Sequence, residues 1–444
     1  MSKLEPLGRP LIRLALVVIA GGIAPLVDTT VVTVAVHAVG TDLHAGTAAI
    51  QWVPTAYLLA LAVTVPVTAW ASDRFGAKQL WIAGLALFLA GSALCALAWD
   101  LGSLVGFRAL QGVGAGIMLP VLQTILVRAA GPARTGRVLT LVMLVSTIAP
   151  IAGPLVGGAI VDAGSWRWVF AINLPICAAA ILLAARFVPR TSAQAGKRLD
   201  VPGVLLLGLG SATLLYALSA GTPWPLLAAG LALLGGFVAW SHAREPLAAI
   251  PVRLLADRAF GPATATLFLT GLALYGALFL IPLWFQQERG MTALAAGGVL
   301  ALQGVGSLLT RWVGSVVDRI GARTVAAVGV VVCAAATVPF ATATAGATLL
   351  GAALVVRGGA LSAVNIAVTA GAFAGLSREQ VPAGSAVVRL VQQLGGAAGT
   401  ALLAAVLAGA GFATAFGTSI ALTVAALVPC AWMVRPAYAD PRAL

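Results

Sequence analysis

Charge is what this sequence lacks. Of 444 residues only 9% are Asp, Glu, Lys or Arg, while 61% are hydrophobic, against roughly a quarter charged in an ordinary soluble domain. A water-soluble fold cannot carry that composition. A mean hydropathy of +1.04 and repeated apolar runs of about 20 residues identify an integral membrane protein built from spanning helices. Strict alternation of apolar and polar residues is missing as well, which excludes a closed β-barrel. Cysteine is scarce: Cys95, Cys177, Cys333 and Cys430 lie singly inside apolar runs, without the spacing of a disulfide framework or a zinc site, and are read as packing residues. Histidine is scarcer, with His37, His44 and His242 alone. Without paired intramembrane carboxylates they form no catalytic constellation, so a polytopic membrane enzyme is disfavoured and neither metal nor other cofactor is expected. The first apolar run holds Asp28 and is too long and too polar for a signal-peptide core, so it is read as the first span.

Fourteen apolar runs are present, at roughly 11–38, 47–71, 79–98, 101–127, 138–161, 166–186, 201–219, 225–241, 259–285, 293–317, 324–342, 345–374, 382–409 and 411–434. The net charge of +13 would suggest nucleic acid in a soluble protein. Here the basic residues sit in short loops between apolar runs, where the positive-inside rule accounts for them and no nucleic-acid partner is expected. With the N-terminus inside, 20 of the 26 Lys and Arg fall in inside loops and tails. Outside loops keep Arg167 and Arg289, and Arg108, Arg311, Arg357 and Arg389 fall within spans. That asymmetry predicts both termini in the cytoplasm and an even number of spans.

One inside loop is written twice. Asp73-Arg74-Phe75-Gly76-Ala77-Lys78 follows the second run, and Asp318-Arg319-Ile320-Gly321-Ala322-Arg323 follows the tenth, 245 residues later. The repeat predicts two parallel six-helix bundles, residues 1–187 and 259–444, with a cytoplasmic linker and two inserted helices over 188–258. A carboxylate and guanidinium at a helix end can form charge-assisted bonds that latch one conformation. Topology alone would explain Arg74 and Lys78, but not the repeated Asp and Gly.

Two further motifs carry chemistry. In the fifth run, Ala149, Gly153 and Gly157 recur every four residues beside Pro150, Pro154 and Gly158, giving a small-residue face with a weakened hydrogen-bond ladder. It suits a helix that slides or pivots, or simply a tight crossing. In the fourth run, Arg108 lies deep inside the span and needs a partner or a water-filled cavity. Asp28 in the first run is the matching carboxylate, since both residues sit roughly 12 to 15 Å below the outer boundary at about 1.5 Å per residue. Burial favours a neutral carboxyl and a neighbouring guanidinium favours a carboxylate, so a modest rearrangement could move a proton on or off Asp28. The plainer reading is that Asp28 only caps a kink next to Pro25.

These motifs resemble the major facilitator superfamily, in its fourteen-helix drug/proton antiporter branch, over nearly the whole chain. The inside-loop motif is matched with Ala69 where Gly is usual in the first copy, and with Gly314 in the second. Ala149 through Gly158 is similar to the antiporter motif of exporters, and Arg108 through Gly116 to the family's arginine motif. Trp166 through Pro175, Pro282 with Gln286, and Gln392 through Gly396 also look like the branch. Arg311 departs from it, standing near a position that more often holds Pro; its role stays open, with a side chain that snorkels to the inner interface as the plainer reading. The resemblance implies a multidrug or antibiotic exporter in a plasma membrane, an inner membrane if bacterial, working as a monomer on small molecules and protons. Trp52, Tyr57, Gln111, Gln123, Gln286, Gln303, Arg357 and Asn365 are its expected cavity wall. Four intramembrane Arg against one Asp favour neutral, zwitterionic or anionic cargo. A nutrient importer of the same superfamily and a transport-inactive sensor are the competing readings.

Overall fold

The computed structural model describes residues 8–131, 134–190, 199–219, 224–244, 248, 250–310, 312–342, 345–377 and 379–433, and among them every regular element is helical. In chain order these are α1 (Arg9–Asp42), α2 (Thr47–Ile50), α3 (Trp52–Phe75), α4 (Ala77–Ala96), α5 (Leu101–Ala130), α6 (Thr135–Ala163), α7 (Arg167–Ala171) and α8 (Asn173–Phe187). Then come α9 (Val201–Ser219), α10 (Trp224–Ala243), a short 3₁₀ turn (Val252–Ala256), α11 (Phe260–Gln287), α12 (Ala293–Leu309) and α13 (Val313–Ile320). The last four are α14 (Ala322–Ala341), α15 (Ala347–Phe373), α16 (Val381–Ala425) and α17 (Leu427–Trp432).

Among the described residues, 11 helical stretches are long and apolar enough to cross a membrane, or 12 if α12 and α13, bent by 51°, form one span. One stretch is too long to be a single crossing. Val381–Trp432 has 52 residues, about 78 Å of helix against a hydrocarbon core of roughly 30 Å. It breaks at Gly411, where φ is 78°.

The duplicated loop appears in the backbone as two copies of one turn. Gly76 (φ 84°, ψ 147°) ends α3 and Gly321 (φ 86°, ψ 149°) ends α13. Each donates its N–H to the carbonyl four residues earlier, Ser72 at 3.0 Å and Val317 at 2.9 Å. A side chain at that φ would meet its own backbone, which is why glycine stands at both positions. One core cluster draws mainly on helices before residue 190, joined by Leu215, Ala397 and Ala401, a second mainly on helices after 258, joined by Ala62, Leu207 and Phe237, and a third at the Asp42 end draws on both sets. α9 and α10 pair with each other, and α9 lies against α3 and α16. Trp52 meets Tyr216 of α9, ring centroids 6.1 Å apart. All four cysteines are buried and unpaired.

Candidate functional site

A capping box fixes where α5 begins. Asp100 Oδ1 accepts the Ser103 N–H at 2.7 Å, and Ser103 Oγ accepts the Asp100 N–H at 3.2 Å; these bonds hold the Asp100 carboxyl below the usual carboxylate range. Arg108 follows about two turns later. Beyond it, a Cβ on Gly116 would lie 2.8 Å from Leu61 O in α3, and one on Gly114 would lie 2.6 Å from Phe88 N in α4. Glycine at these positions lets α5 press between its neighbours.

Arg108 is thereby brought against α1. Its Nη1 donates to Asp28 Oδ2 at 2.6 Å and to Gln111 Oε1 at 2.6 Å, and its Nε donates to Val53 O at 3.2 Å. Asp28 Oδ1 accepts from Gln111 Nε2 at 3.0 Å and from Asn173 Nδ2 at 3.2 Å. Gln111 Nε2 also donates to Ser92 Oγ at 2.8 Å. The Tyr57 ring covers the guanidinium, 4.2 Å from centroid to Cζ. Asp28 and Arg108 are each 1% exposed, so this is a neutral pair held by bonds from four helices. In a low-dielectric interior, removing either partner strands the other charge. A proton on Asp28 would relax the same contact without stranding an anion.

A second buried arginine stands on α15. Arg357 donates from Nη1 to Gln303 Oε1 at 2.7 Å, from Nη2 to Ala273 O at 3.0 Å and from Nε to Thr337 Oγ1 at 3.3 Å. It is fully buried, and each of these acceptors is neutral.

Between the two helix sets lies a cavity of about 200 Å³, lined from α1 by Pro25, Leu26, Thr29 and Thr30, from α6 by Ala149, Pro150 and Pro154, and from the later helices by Tyr275, Gln303 and Gln393 among apolar neighbours. A crevice of about 10 Å³, lined by Thr29, Tyr57, Arg108 and Tyr275 among others, adjoins it and has room for about one water. The small-residue face of α6 meets α1: a Cβ on Gly157 would lie 2.8 Å from Val31 O, Gly153 sits against Thr30, and Thr30 Oγ1 donates to Ala149 O at 3.3 Å. Gly158 faces the other way, where a Cβ would lie 2.5 Å from Ala293 O in α12. Thus α6 carries one tight face toward the Asp28 helix and another toward the opposite set.

At the Asp42 end the two sets are stitched together. Asp162 at the end of α6 accepts the Ala293 and Leu294 N–H groups at 3.0 and 2.9 Å, which caps α12 across the junction. Gln286 Nε2 donates to Val34 O at 3.1 Å. Asp42 accepts from Trp166 Nε1 at 2.9 Å and Arg167 Nη1 at 2.8 Å, contacts that hold its carboxyl below the usual range. At the opposite end, Asp73 is exposed and 3.9 Å from Arg128 rather than bonded to Arg74, and Lys78 Nζ donates to Ala185 O at 2.7 Å. Asp318 and Arg319 are exposed on α13, and Arg323 lies in the first turn of α14.

The expected cavity wall divides. Gln303 lines the 200 Å³ cavity and Tyr57 lines the adjoining crevice. Gln111 and Arg357 are buried in the two arginine clusters, and Gln286 is buried at the Asp42-end junction. Trp52 packs on α9, while Gln123 and Asn365 are exposed and outside that lining. Arg311 lies outside the described residues. Ser92 and Tyr275 did not emerge from sequence as site residues, their signal being a hydroxyl alone in an apolar run; Asn173 and Gln393 fall in the stretches Trp166 through Pro175 and Gln392 through Gly396, which gave neither a site role.

Residues 17–400 match the family model described as Major Facilitator Superfamily. Among curated proteins, the chain is 34% identical over 413 residues to a Multidrug resistance protein B homolog of Mycobacterium tuberculosis, covering 89% of this chain and 76% of that one. It is 30% identical over 283 residues to the Multidrug transporter protein MdtP of Bacillus subtilis, covering 62% of this chain and 52% of that one. Among solved structures it superposes on the nucleoside transporter NupG with a TM-score of 0.71 at 13% identity, covering 96% of this chain and 100% of that one. A POT family transporter in complex with a thioalcohol conjugated peptide gives a TM-score of 0.72 at 13% identity, covering 95% of each chain.

Proposed function

Because the chain belongs to the Major Facilitator Superfamily, we propose that it is a proton-driven antiporter that exports small, amphipathic drugs, antibiotics or metabolites from the cytoplasm by alternating access. The observation that carries this reading is the buried Asp28 carboxylate, paired with Arg108 at 2.6 Å on the helix that also lines the cavity between the two sets. Relatives named for multidrug resistance support the direction of transport. A proton arriving at Asp28 frees Arg108 from its counter-charge and loosens α1. The shift passes to α6 through the face of Ala149, Gly153 and Gly157, and from α6 to α12 across Pro150, Pro154 and Gly158, so the two sets rock about the cavity.

In the same reading the chain crosses a plasma membrane fourteen times, with both termini cytoplasmic and the Asp42 end outside. The break at Gly411 divides the last two spans, and α12 with α13 makes one. Residues 1–187 and 259–444 form the two six-helix bundles, and 188–258 the linker and inserted pair. Asp73, Arg74, Gly76 and Lys78, with Asp318, Arg319, Gly321 and Arg323, form cytoplasmic latches that close when the outer end opens. The protein acts as a monomer.

The test uses proteoliposomes and a compound selected by a growth panel in a pump-deficient host. Asp28→Asn should abolish uphill, pH-driven efflux and preserve equilibration of the compound down its own gradient, while Asp28→Glu should keep partial activity. Full proton-coupled transport by Asp28→Asn would overturn the assignment.

A further inference from the structure

The cavity between the helix sets has no charge in its wall. None of its lining residues is Asp, Glu, Lys, Arg or His. Asp28, although on the same helix as Thr29 and Thr30, is turned away from it with its side chain fully buried and three hydrogen-bond donors on its two oxygens. The polar groups that do face the cavity are mostly committed. Thr29 Oγ1 donates to Pro25 O at 2.9 Å, Thr30 Oγ1 to Val27 O at 2.9 Å, and Gln303 Oε1 receives Arg357. One acceptor is left over. Gln393 is hydrogen-bonded to the Tyr275 side chain, yet its Oε1 is buried with no hydrogen-bond partner, in the wall of the cavity. A buried carbonyl without a donor has lost its water and gained nothing in return, a cost that a ligand N–H or O–H recovers on binding. The surrounding field disfavours cations. Arg357 stands directly behind Gln303 with neutral partners, and in a low-dielectric interior an uncompensated guanidinium repels positive charge strongly.

We propose that the ligand of this cavity is an uncharged, largely apolar molecule carrying an N–H or O–H donor that pairs with Gln393, and that cationic compounds are excluded from it. The proposal rests on the reading above only in taking this cavity as the transport site. It follows that cargo and proton do not compete for one carboxylate: Asp28 acts on the cavity through α1 and not by touching the cargo.

Equilibrium binding tests it, with the full chain in lipid nanodiscs, no pH gradient and empty nanodiscs as the blank. The probes are para-hydroxybiphenyl, its methyl ether and the trimethylammonium analogue. The phenol should bind saturably, the ether roughly tenfold more weakly for want of one hydrogen bond, and the ammonium compound should not compete. Gln393→Leu, of similar volume, should bring the phenol down to the ether and leave the ether unchanged; Gln393→Glu should admit the ammonium compound. The proposal falls if the ammonium compound competes as well as the phenol in the unaltered protein, if none of the three binds, or if a monodisperse Gln393→Leu protein still prefers the phenol. Failure here leaves pH-driven flux through Asp28 untouched, and loss of that flux leaves donor-selective binding untouched, so the two ideas fail separately.

Discussion

Arg108 and Arg357 occupy two comparable pockets. Each is buried within a long helix, each donates from Nη1 to a glutamine Oε1 at 2.6 or 2.7 Å, and each reaches a backbone carbonyl on a neighbouring helix. The offset of 245 residues that carries Asp73 to Asp318 also carries Asp28 to Ala273, and Ala273 supplies the carbonyl that Arg357 grips. One pocket has a titratable acid where the other has a methyl group. The arginines themselves stand 249 residues apart rather than 245, and of the two guanidinium sites the first has a carboxylate partner while the second has only neutral acceptors.

The sharpest way to break that contrast is to truncate both arginines. Arg108→Ala should cost about 3 kcal/mol or more, because it strands the Asp28 charge, and should move the pH dependence of transport to higher values. Arg357→Ala should cost about 1 to 3 kcal/mol through its orphaned acceptors and leave the pH profile where it was. Thermal unfolding alongside proton flux separates the two; matching shifts in pH profile would make the pockets equivalent. Next in size are two adjacent glycines. Gly158→Leu should drive the helix sets apart at the Asp42 end, and Gly157→Leu should displace α1 within its own set, so both should stall transport. Only the former should speed reaction of a cysteine placed at Gln287 with an impermeant thiol reagent. Asp162→Asn weakens the cap on α12 without adding volume, and should raise the same labelling rate a few-fold.

The smallest effect concerns the two arginine helices themselves. α5 starts at the Asp100 box, whereas α15 starts at Gly346 with no side-chain cap. Asp100→Ala should lower stability by the smallest amount of the set and level them. Because Ser103 holds the Asp100 carboxyl below its ordinary range, the cap's contribution is complete above the ordinary carboxylate range and fades as pH falls through the depressed value. A stability difference that persisted at acid pH would mean that Asp100 acts through something other than its charge.

What could be read from sequence follows from what is expensive. Two opposite charges at matched depth inside apolar runs demand each other, so the contact between Asp28 and Arg108 was legible. A glycine repeated in a repeated loop announces a repeated turn, and Gly76 and Gly321 supply it. Cheaper groups were opaque. Asn173 and Ser92 are small enough to pass as packing residues, and nothing in their spacing ties them to Asp28. Gln123 and Asn365 looked like cavity residues because a carboxamide in a span asks for a partner, yet both are exposed. The face of Ala149, Gly153 and Gly157 advertised a close neighbour without naming it, since small residues complement any helix; α1 is a fact of tertiary packing. The boundary at Gly411 was legible too, since the break falls where the apolar runs 382–409 and 411–434 part.

The sources of the polar groups around the cavity have a consequence for inheritance. The free amide acceptor and its tyrosine neighbour come from helices after residue 258, whereas the titratable cluster lies wholly before residue 190. On the proposed reading, the amide acceptor and the titratable cluster are therefore encoded in separate stretches of the gene, although both stretches line the cavity. A crossover near the linker would then exchange that acceptor while the titratable cluster passed through intact.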